Sequence, residues 1–473
     1  MKRNELSLHE ALFGNCDKNK IVAYSKDSSF THKDFTDSIK ALGLWLFQDD
    51  TVKNIAICIE NAYSFSIAFI AAMYAQKTPV LLGNITAHTF DDIKEKADLV
   101  ISDLNIEGIA VPAYEFSELL KKAEEFYKDL KSLKTETEIE YLFSSLDEKS
   151  PIIFYTSGTT GKNKRVNKSL KSMQIDITCS YELSDSLEST DNLKLISTVP
   201  PYHMYGLTYR IFMPILRHIP MTTYMIRFPE ELENYNDSVI LITSPAFVKR
   251  LDTHIKAPDI RLCLSAGSPM PDDAALAFYS WSECPVTEIY GSTESNSMAH
   301  RENRGDKPLF IPFSAVNFVK TDDGYKLDSL MSDGYDRIDD NLEFEGPYFR
   351  ITGRKDKIVK IEENRVSLTQ IEKLLKDNPL IKDAVALVIT RNRRSCIGAV
   401  CVLNNESIAQ NINNQTAAVF DRKSVVNALK EYLKGYLPAV AIPRYFRIVE
   451  TIPVNHMGKR ITPLLEELFN DKA

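Results

Sequence analysis

The sequence contains little glycine and no closely spaced pair of cysteines. Among its 473 residues are 17 glycines and seven cysteines, and no two cysteines stand in a Cys-x-x-Cys arrangement. This spacing disfavours a zinc ribbon or a dithiol redox pair, and the odd, dispersed set disfavours a disulfide scaffold. We therefore expect a cytoplasmic protein. Because glycine is scarce, each cluster of glycines is informative.

The sequence also lacks an excess of basic residues and a long apolar run. Its 57 lysines and arginines against 65 aspartates and glutamates give a formal net charge of −8, which argues against nucleic-acid binding as the main task. The longest apolar stretch, at 66–75, is about half of a membrane span. We therefore predict no nucleic-acid partner and no membrane-spanning segment.

The length predicts two or three domains, because a common single domain is about a third of this size. An apolar strand at 55–59, a helix rich in alanine and aromatics that ends at Ala75, and a strand at 79–82 form a βαβ unit. Such units build parallel sheets with flanking helices. Further apolar strands are predicted at 152–155, 193–199, 239–243 and 260–265. An α/β fold therefore continues for about 300 residues.

The pattern changes after Gly353. Shorter strands mixed with two helices indicate a separate α+β domain of about 120 residues. We predict an N-terminal core at 1–353, a hinge at 354–357 and a small C-terminal lid domain at 358–473.

A polar loop at 155–165 has the strongest chemical pattern. It follows a short apolar strand, precedes a predicted helix, and contains two glycines, four serine or threonine residues and two lysines. The backbone N–H groups, hydroxyls and lysines of such a loop can bind a phosphate chain. A Walker P-loop is disfavoured because two residues, and not four, separate Gly158 from Gly161. A polar surface turn is the simpler alternative.

Four segments, in the same order along the chain, resemble the signature blocks of the adenylate-forming (AMP-binding) superfamily. That superfamily contains acyl- and aryl-CoA synthetases, stand-alone adenylation domains and luciferases. The four segments are Thr156–Lys164, Tyr290–Glu294, Thr352–Asp356 and Pro453–Lys459. The resemblance covers nearly the whole chain. It implies a large α/β N-terminal domain with mixed sheets and flanking helices, and a mobile α+β C-terminal lid.

The resemblance also implies the reactants and the site residues. The expected substrates and cofactors are a small carboxylic acid, ATP, Mg²⁺, and either CoA or the phosphopantetheine of an acyl carrier protein. The residues expected to bind the nucleotide or thiol cofactor are Thr156, Ser157, Gly158, Thr159, Thr160, Gly161, Lys164, Gly267, Ser268, Tyr290, Gly291, Asp333, Arg354 and Arg365. The residues expected to act in catalysis are Lys459, Thr293, Glu294 and His203.

Within this set, Glu294 is the expected Mg²⁺ ligand and Tyr290 is expected to stack on adenine. Lys459 is expected to stabilise the charge that develops when a carboxylate meets the α-phosphate. Asp333 is the expected ribose contact, with Asp336 as a close competitor, and Asp356 is expected to act as the hinge.

Each of these residues also has a simpler explanation when it is taken alone. Tyr290 would fit a core tyrosine, and Glu294 a solvated carboxylate at the start of a helix. Gly267 would fit a plain strand-to-helix turn, His203 a half-buried histidine, and Lys459 a solvated lysine. It is the ordered set of four blocks that favours nucleotide binding.

Three departures from the family pattern indicate a branch other than the standard CoA ligases. Asn163 and Arg165 replace the usual proline and glycine of the phosphate loop, and a glutamate at about 363 replaces the glycine beside the pantetheine tunnel. Either this tunnel has a different shape, or the acceptor is a carrier protein. The basic turn Arg391–Arg394 could bind an acidic carrier, or it could be a solvated hairpin tip.

The sequence therefore predicts an ATP-dependent ligase that adenylates a carboxylic acid and then forms a thioester with CoA. One alternative is an enzyme that loads the acyl or aryl group onto a carrier-protein phosphopantetheine. An alternative of another class is a degenerate, non-catalytic nucleotide or acyl binder. A luciferase-like oxygenase would share every block. The identity of the acid stays open.

Overall fold

The chain is divided into two compact units. The computed structural model describes residues 7–83, 93–104, 106, 109–133, 136–141, 143–157, 163–184, 192–322, 324–354, 357–361, 364–391, 394–404, 422–437, 439–454 and 460–470. One unit comprises Met1–Thr321 and Tyr325–Arg337, and the other comprises Asp322–Gly324 and Ile338–Ala473. Lys355 and Asp356 lie outside the described residues, so the hinge at 354–357 stays a prediction.

The N-terminal unit is built on two large sheets. In chain order, the described strands up to residue 329 are β1 (Ile21–Tyr24), β2 (Ser29–Thr31), β3 (Asn54–Cys58), β4 (Thr78–Leu81), β5 (Leu99–Ser102), β6 (Ala113–Glu115), β7 (Pro151–Ser157), β8 (Asn163–Ser169), β9 (Leu193–Ser197), β10 (Met221–Thr222), β11 (Ser238–Thr243), β12 (Asp259–Ser265), β13 (Val286–Ser292), β14 (Asn296–Asn303), β15 (Ile311–Pro312), β16 (Val316–Thr321) and β17 (Gly324–Ser329).

Within the described residues, one sheet has the order β15-β14-β13-β12-β11-β9-β10-β1-β2 and the other the order β6-β5-β3-β4-β7-β8. The central strands of both sheets are parallel, and β14, β15, β2 and β8 pair antiparallel at the edges. The parallel strands are near-continuous apolar runs, such as the buried Val239–Ile242 of β11. This is the pattern expected where both faces of a sheet are covered.

Helices cover the sheets and separate them. The helices of the N-terminal unit are α1 (Leu8–Phe13), α2 (His32–Phe47), α3 (Ala62–Tyr74), α4 (Phe116–Leu133), α5 (Glu136–Tyr141), α6 (Leu170–Ser180), α7 (Met204–Gly206), α8 (Met213–Arg217), α9 (Pro245–Val248) and α10 (Asp272–Ser282). A π-helical segment spans Leu207–Phe212, and 3₁₀ turns span Ile93–Glu95, Tyr181–Ser184, Pro229–Asn234 and Leu330–Ser332.

The helix α3 shows why the two sheets belong to one unit. It is apolar around its whole circumference, and Ser64 is its one residue that is not buried. A helix of this kind is stable only when it is enclosed on all sides. It contacts β3 and β4 of one sheet and β10 of the other.

The C-terminal unit has an α+β fold with its own core. Its described elements are β18 (Asp340–Glu345), β19 (Tyr348–Arg354), β20 (Ile358–Ile361), β21 (Asn364–Ser367), α11 (Leu368–Asp377), β22 (Ile381–Arg391), β23 (Arg394–Leu403), α12 (Arg422–Lys434), a 3₁₀ turn (Ala439–Ala441), β24 (Tyr445–Ile448) and α13 (Thr462–Glu467). A three-stranded sheet, β22-β23-β24, packs its apolar face on α11 and α12.

The predicted α/β fold class is confirmed, with one local error. The predicted strands at 239–243 and 260–265 match β11 and β12 within one residue. However, the phosphate loop is followed by the strand β8 before the helix α6 begins. The charged residues of β8 concealed the strand, because alternating apolar residues are the usual strand signal. No helix among the described residues is long and apolar enough to cross a membrane.

Candidate active site

Four neighbouring parallel strands end at the same edge of the nine-stranded sheet. The strands β9, β11, β12 and β13 lie side by side, so that Ser265 at the end of β12 pairs with Thr243 on one side and with Glu288 on the other. In open α/β sheets, ligands bind beyond the carboxyl ends of such strands. His203 and Gly267 lie in the segments that follow β9 and β12, and Tyr290 lies near the end of β13.

A tight turn between β13 and β14 presents Thr293 and Glu294. The Ser295 hydroxyl accepts a hydrogen bond from the Ser292 N–H (3.0 Å), and the Ser292 hydroxyl accepts one from the Ser295 N–H (3.1 Å). A Cβ atom on Gly291 would lie 2.2 Å from the carbonyl oxygen of Asn296, so the close approach of the two strands requires glycine. The turn is thereby held in one conformation, with Thr293 and Glu294 half-buried at its tip.

An ion pair joins this turn to the strand that follows the phosphate loop. Thr156 of β7 lies opposite Lys164 of β8, and the Lys164 Nζ lies 2.5 Å from the Glu294 Oε1. Burial alone would raise the pKa of Glu294, but the hydrogen bond and charge of Lys164 lower it overall. Glu294 is therefore a carboxylate at neutral pH. Two of the predicted sequence blocks, which are 130 residues apart, meet here.

A second lysine, the buried Lys168, connects β8 to the same turn and to the segment that contains Asp333. Its side chain is 1% exposed. Its Nζ donates to the carbonyl oxygens of Glu294 (3.0 Å) and Met331 (2.8 Å) and lies 3.3 Å from Asp333 Oδ2. Burial lowers the pKa of Lys168, and the nearby carboxylate of Asp333 opposes that shift. This buried ammonium fixes the backbone of Glu294 and the position of Asp333.

The structure gives the two candidate ribose contacts different surroundings. The Asp333 carboxylate accepts hydrogen bonds from the Ser169 hydroxyl (2.6 Å) and the Ser169 N–H (3.1 Å) beside Lys168. Asp336 is exposed and pairs with Lys326 at 3.1 Å. Only Asp333 is therefore built into the elements that hold Glu294. Its backbone has a φ of +49°, which is uncommon for a residue with a side chain.

The predicted adenine region lies at the ends of β12 and β13. Tyr290 is half-buried, and its ring centroid lies 5.7 Å from that of Phe310. Gly267 has a φ of +100°, which favours glycine in the turn that continues through Ser268. The turn is anchored by Glu288, which accepts hydrogen bonds from the Met270 N–H (3.1 Å), Arg301 and Asn303.

His203 lies between the two sheets at the start of α7. A Cβ atom on Gly83 would lie 4.0 Å from its Cε1 and 2.7 Å from the carbonyl oxygen of Tyr155, the residue before Thr156. The imidazole is therefore near the phosphate-loop strand. The preceding segment is held by Arg210, a fully buried arginine that donates to the Val199 carbonyl (2.7 Å). Burial lowers the pKa of Arg210 to about 10.

A polar cluster lies beneath the Thr293–Ser295 turn. Asp176 of α6 is 1% exposed, and its Oδ2 accepts a hydrogen bond from the Ser297 N–H (3.4 Å). The Ser297 hydroxyl bonds the Tyr209 hydroxyl (2.9 Å). Burial raises the pKa of Asp176 to about 6, and hydrogen bonds from Ser297 and the charge of Lys168 oppose that shift.

In the C-terminal unit, one buried carboxylate holds the residues next to two predicted site segments. Glu372 of α11 accepts hydrogen bonds from Lys357, which follows the predicted hinge (2.7 Å), and from the Ala386 N–H (3.0 Å). Arg460, the residue after Lys459, lies 3.8 Å from Glu372 and donates to Asp383 (2.7 Å).

Several predicted site residues lie outside the described part of the chain. They are Gly158, Thr159, Thr160, Gly161 and Lys459. The backbone of Ser157, Arg354 and Arg365 lies in β7, β19 and β21, but their side chains are not described. The described residues thus bring together Thr156, Lys164, Thr293, Glu294, Gly291, Tyr290 and Asp333.

Sequence reasoning missed three buried polar residues: Lys168, Asp176 and Arg210. A signal for Lys168 existed, because period-two alternation in β8 places it on the same buried side as Val166. No comparable signal identified Asp176 or Arg210, since their apolar surroundings come from elements that are distant in sequence.

Glu294 and Thr293 are chemically suited to Mg²⁺, which prefers oxygen ligands. However, no cluster of three or more His, Cys, Asp or Glu side chains among the described residues could hold a metal ion. An ion bound at Glu294 would therefore need further oxygen ligands from phosphate or water.

The chain is similar in sequence to several known proteins. The sequence model described as AMP-binding enzyme matches residues 9–312. The 4-coumarate–CoA ligase of Rhodobacter capsulatus is 23% identical over 322 residues, which are 67% of this chain and 77% of that protein. The D-alanine–D-alanyl carrier protein ligase of Staphylococcus aureus is 28% identical over 133 residues, which are 28% of this chain and 25% of that protein.

The likeness to one solved structure extends over nearly the whole chain. The O-succinylbenzoate coenzyme A synthetase of Bacillus subtilis, in complex with AMP, has a TM-score of 0.73 to this chain. The sequence identity is 14%, and the likeness covers 98% of both chains. At this identity the likeness shows the fold.

Lys168→Met should destabilise the N-terminal unit by about 2 kcal/mol, because it leaves the Asp333 carboxylate and two carbonyl groups without their buried donor. In a thermal unfolding scan we expect the midpoint to fall by about 3 °C or more. The matched control is Lys171→Met, which removes an exposed lysine that lies 3.8 Å from Glu148 and should change little. Equal midpoints for the two variants would contradict the role of Lys168.

Proposed function

Because the chain belongs to the AMP-binding enzyme family, we propose that it is an AMP-forming acid–thiol ligase. It activates a small carboxylic acid with ATP as an acyl or aryl adenylate and then transfers the acyl group to a thiol, with CoA as the first candidate. The observation that supports this proposal best is the Lys164–Glu294 ion pair, which joins the phosphate-loop strand to the Thr293–Ser295 turn.

In the first step, a carboxylate oxygen attacks the α-phosphorus of ATP. The acyl–phosphate bond forms, the bond to the β-phosphate breaks, and pyrophosphate leaves. Because both reactants are anions, cationic and N–H groups must offset their repulsion. In our proposal, Thr156 and Lys164 with the 157–161 loop bind the phosphates, and Thr293 donates to the α-phosphate.

The nucleoside would lie over the ends of β12 and β13. Tyr290 stacks on the purine, Gly267 and Ser268 allow the backbone to approach it, and Asp333 accepts from the ribose hydroxyls. The two oxygens of Asp333 have further acceptor capacity beyond their bonds to Ser169. Arg354 and Arg365 are proposed as further nucleotide or cofactor contacts from the C-terminal unit.

Mg²⁺, when bound at Glu294, would offset the charge of the departing pyrophosphate. Lys164 would then exchange its bond to Glu294 for a phosphate oxygen. Lys459 would lie near the reacting carboxylate and stabilise the transition state more than the separated reactants. His203 would border the acid. In the second step, a thiolate attacks the acyl carbon, the carbon–sulfur bond forms, and AMP leaves.

The test of this function is acid-dependent exchange of pyrophosphate into ATP. Lys459→Ala should lower exchange by about 100-fold or more, because a preorganised charge at the reacting atoms is removed. ATP binding, measured by calorimetry, should persist. The matched control Lys423→Ala removes an exposed lysine of α12 and should keep full exchange.

Full exchange in the Lys459→Ala variant would refute the assigned role. A wild-type protein that binds ATP but exchanges no pyrophosphate with any acid would instead be the non-catalytic binder.

A carrier-protein thiol is the second candidate acceptor. Two observations favour it: the partial similarity to the D-alanyl carrier protein ligase and the glutamate at position 363 in place of the family's glycine. Carrier proteins are generally acidic, and the basic segment 391–394 runs from the last residue of β22 to the first residue of β23. Long-range attraction between opposite charges would speed their association.

Changing Arg393 and Arg394 to Glu should slow acyl transfer to a holo-carrier protein by about tenfold, because the turn would repel an acidic partner. Pyrophosphate exchange should stay unchanged. The matched control changes Lys373 and Lys376, exposed on α11, to Glu, which alters the net charge equally. Transfer should be compared with CoA and with holo-carrier protein side by side. Equal transfer rates for both double variants would exclude the turn as the docking surface.

A further inference from the structure

The cluster beneath the Thr293–Ser295 turn has two buried hydrogen-bond acceptors without a donor. Among the described residues, Asp176 Oδ1 and Asn296 Oδ1 have no hydrogen-bond partner. Asp176 is 1% exposed and Asn296 is 2% exposed. Buried polar atoms are normally satisfied, since leaving one unpaired costs about 1–3 kcal/mol. Both atoms are hydrogen-bond acceptors, so only a donor group can pair with them.

The two acceptors belong to one local arrangement. Ser172 and Asp176 are four residues apart on α6 and therefore share a face of the helix. Asn296 Nδ2 lies 3.5 Å from the Ser172 carbonyl oxygen, and the neighbouring Ser297 donates to Asp176. This face of α6 thus meets the first two residues of β14.

Aromatic side chains adjoin this arrangement. The Tyr209 hydroxyl bonds Ser297, and the Tyr205 ring centroid lies 5.3 Å from that of Tyr209. Tyr205 is two residues after His203 along the chain. The cluster is therefore linked to the segment that contains His203, which we propose to border the acid.

The cluster is also close to the proposed reaction centre. Ser297 lies directly opposite Gly291 across the β13–β14 ladder, and Asn296 lies opposite Ser292. Opposing residues of an antiparallel pair have Cα atoms about 5 Å apart. Asp176, which accepts a hydrogen bond from Ser297, is therefore within two residue pairs of the turn that carries Thr293.

We propose that the acid substrate has an O–H or N–H donor at the end remote from its carboxylate, and that Asp176 and Asn296 accept hydrogen bonds from it. This inference rests on the proposed adenylating function and specifies its substrate class. Near neutral pH the Asp176 side chain is mostly ionised, because burial raises its pKa only to about 6. An ionised carboxylate accepts and cannot donate. A plain hydrocarbon end would leave both acceptors desolvated and unpaired.

The test uses the purified full chain and matched acids that differ only at the remote end. One series is benzoate, 4-hydroxybenzoate and 4-(aminomethyl)benzoate, and a second is hexanoate and 6-hydroxyhexanoate. For the series that is accepted, the donor-bearing acid should exceed its parent by at least about tenfold in kcat/KM for pyrophosphate exchange. Comparison of 4-hydroxybenzoate with 4-(aminomethyl)benzoate distinguishes a neutral donor from a cationic one.

Asp176→Leu removes the acceptor, and Asp176→Asn keeps its shape without the charge. Both substitutions should reduce the ratio of kcat/KM between the donor-bearing acid and its parent acid, and Asp176→Leu should reduce it more. The ratio is the readout because a merely structural Asp176 would lower exchange with every acid equally. The Asn variant keeps the test decisive if the Leu variant fails to fold.

Direct binding of the same acids, measured by calorimetry, separates the two proposals. Binding that discriminates by the remote donor, without any exchange, would refute the ligase function and support the subsite. Equal exchange or equal binding within each pair, or an unchanged ratio in both Asp176 variants, would overturn the subsite. Protein that binds none of the acids would overturn it as well.

Discussion

The reaction that we propose brings two anions together, and it therefore requires positive charge where they would meet. Lys164 and Glu294 form an ion pair that connects one sheet to the other across 130 residues of sequence. The two charges of this pair neutralise each other. With nucleotide bound, the same two side chains would separate to hold a phosphate and a metal ion. This exchange of partners is possible because Lys164 is half-exposed and not enclosed.

A second lysine, Lys168, lies next to this pair, and its burial prevents it from exchanging hydrogen-bond partners in the same way. Lys168 holds the backbone of Glu294 and Met331 together with Asp333, and it is almost completely buried. A buried ammonium is expensive to desolvate and is retained only where its bonds are well made. We interpret Lys168 as the support that keeps Glu294 in place while Lys164 changes its partner.

Much of the fold could be predicted from sequence because its central strands are apolar runs such as 239–243. The residues of such a run are enough to predict a buried strand. The strand β8 could not, since six of its seven residues are polar or charged and only its pairing with β7 makes it a strand. In the site, too, the residues that could be predicted were those with a recognisable local sequence pattern. Glu294 and Lys164 belong to ordered blocks of small residues, whereas Asp176 is one carboxylate in a helix, and its burial depends on residues near 209 and 297.

The most direct test follows oxygen from the acid into the nucleotide. The chain is incubated with ATP, Mg²⁺ and an accepted acid labelled with ¹⁸O in both carboxylate oxygens, and hydroxylamine is added to intercept the activated acyl group. If the carboxylate attacks the α-phosphorus, mass spectrometry will find one ¹⁸O atom in each AMP formed. Label in orthophosphate, or AMP without label, would contradict adenylation and with it the account of the Lys164–Glu294 site.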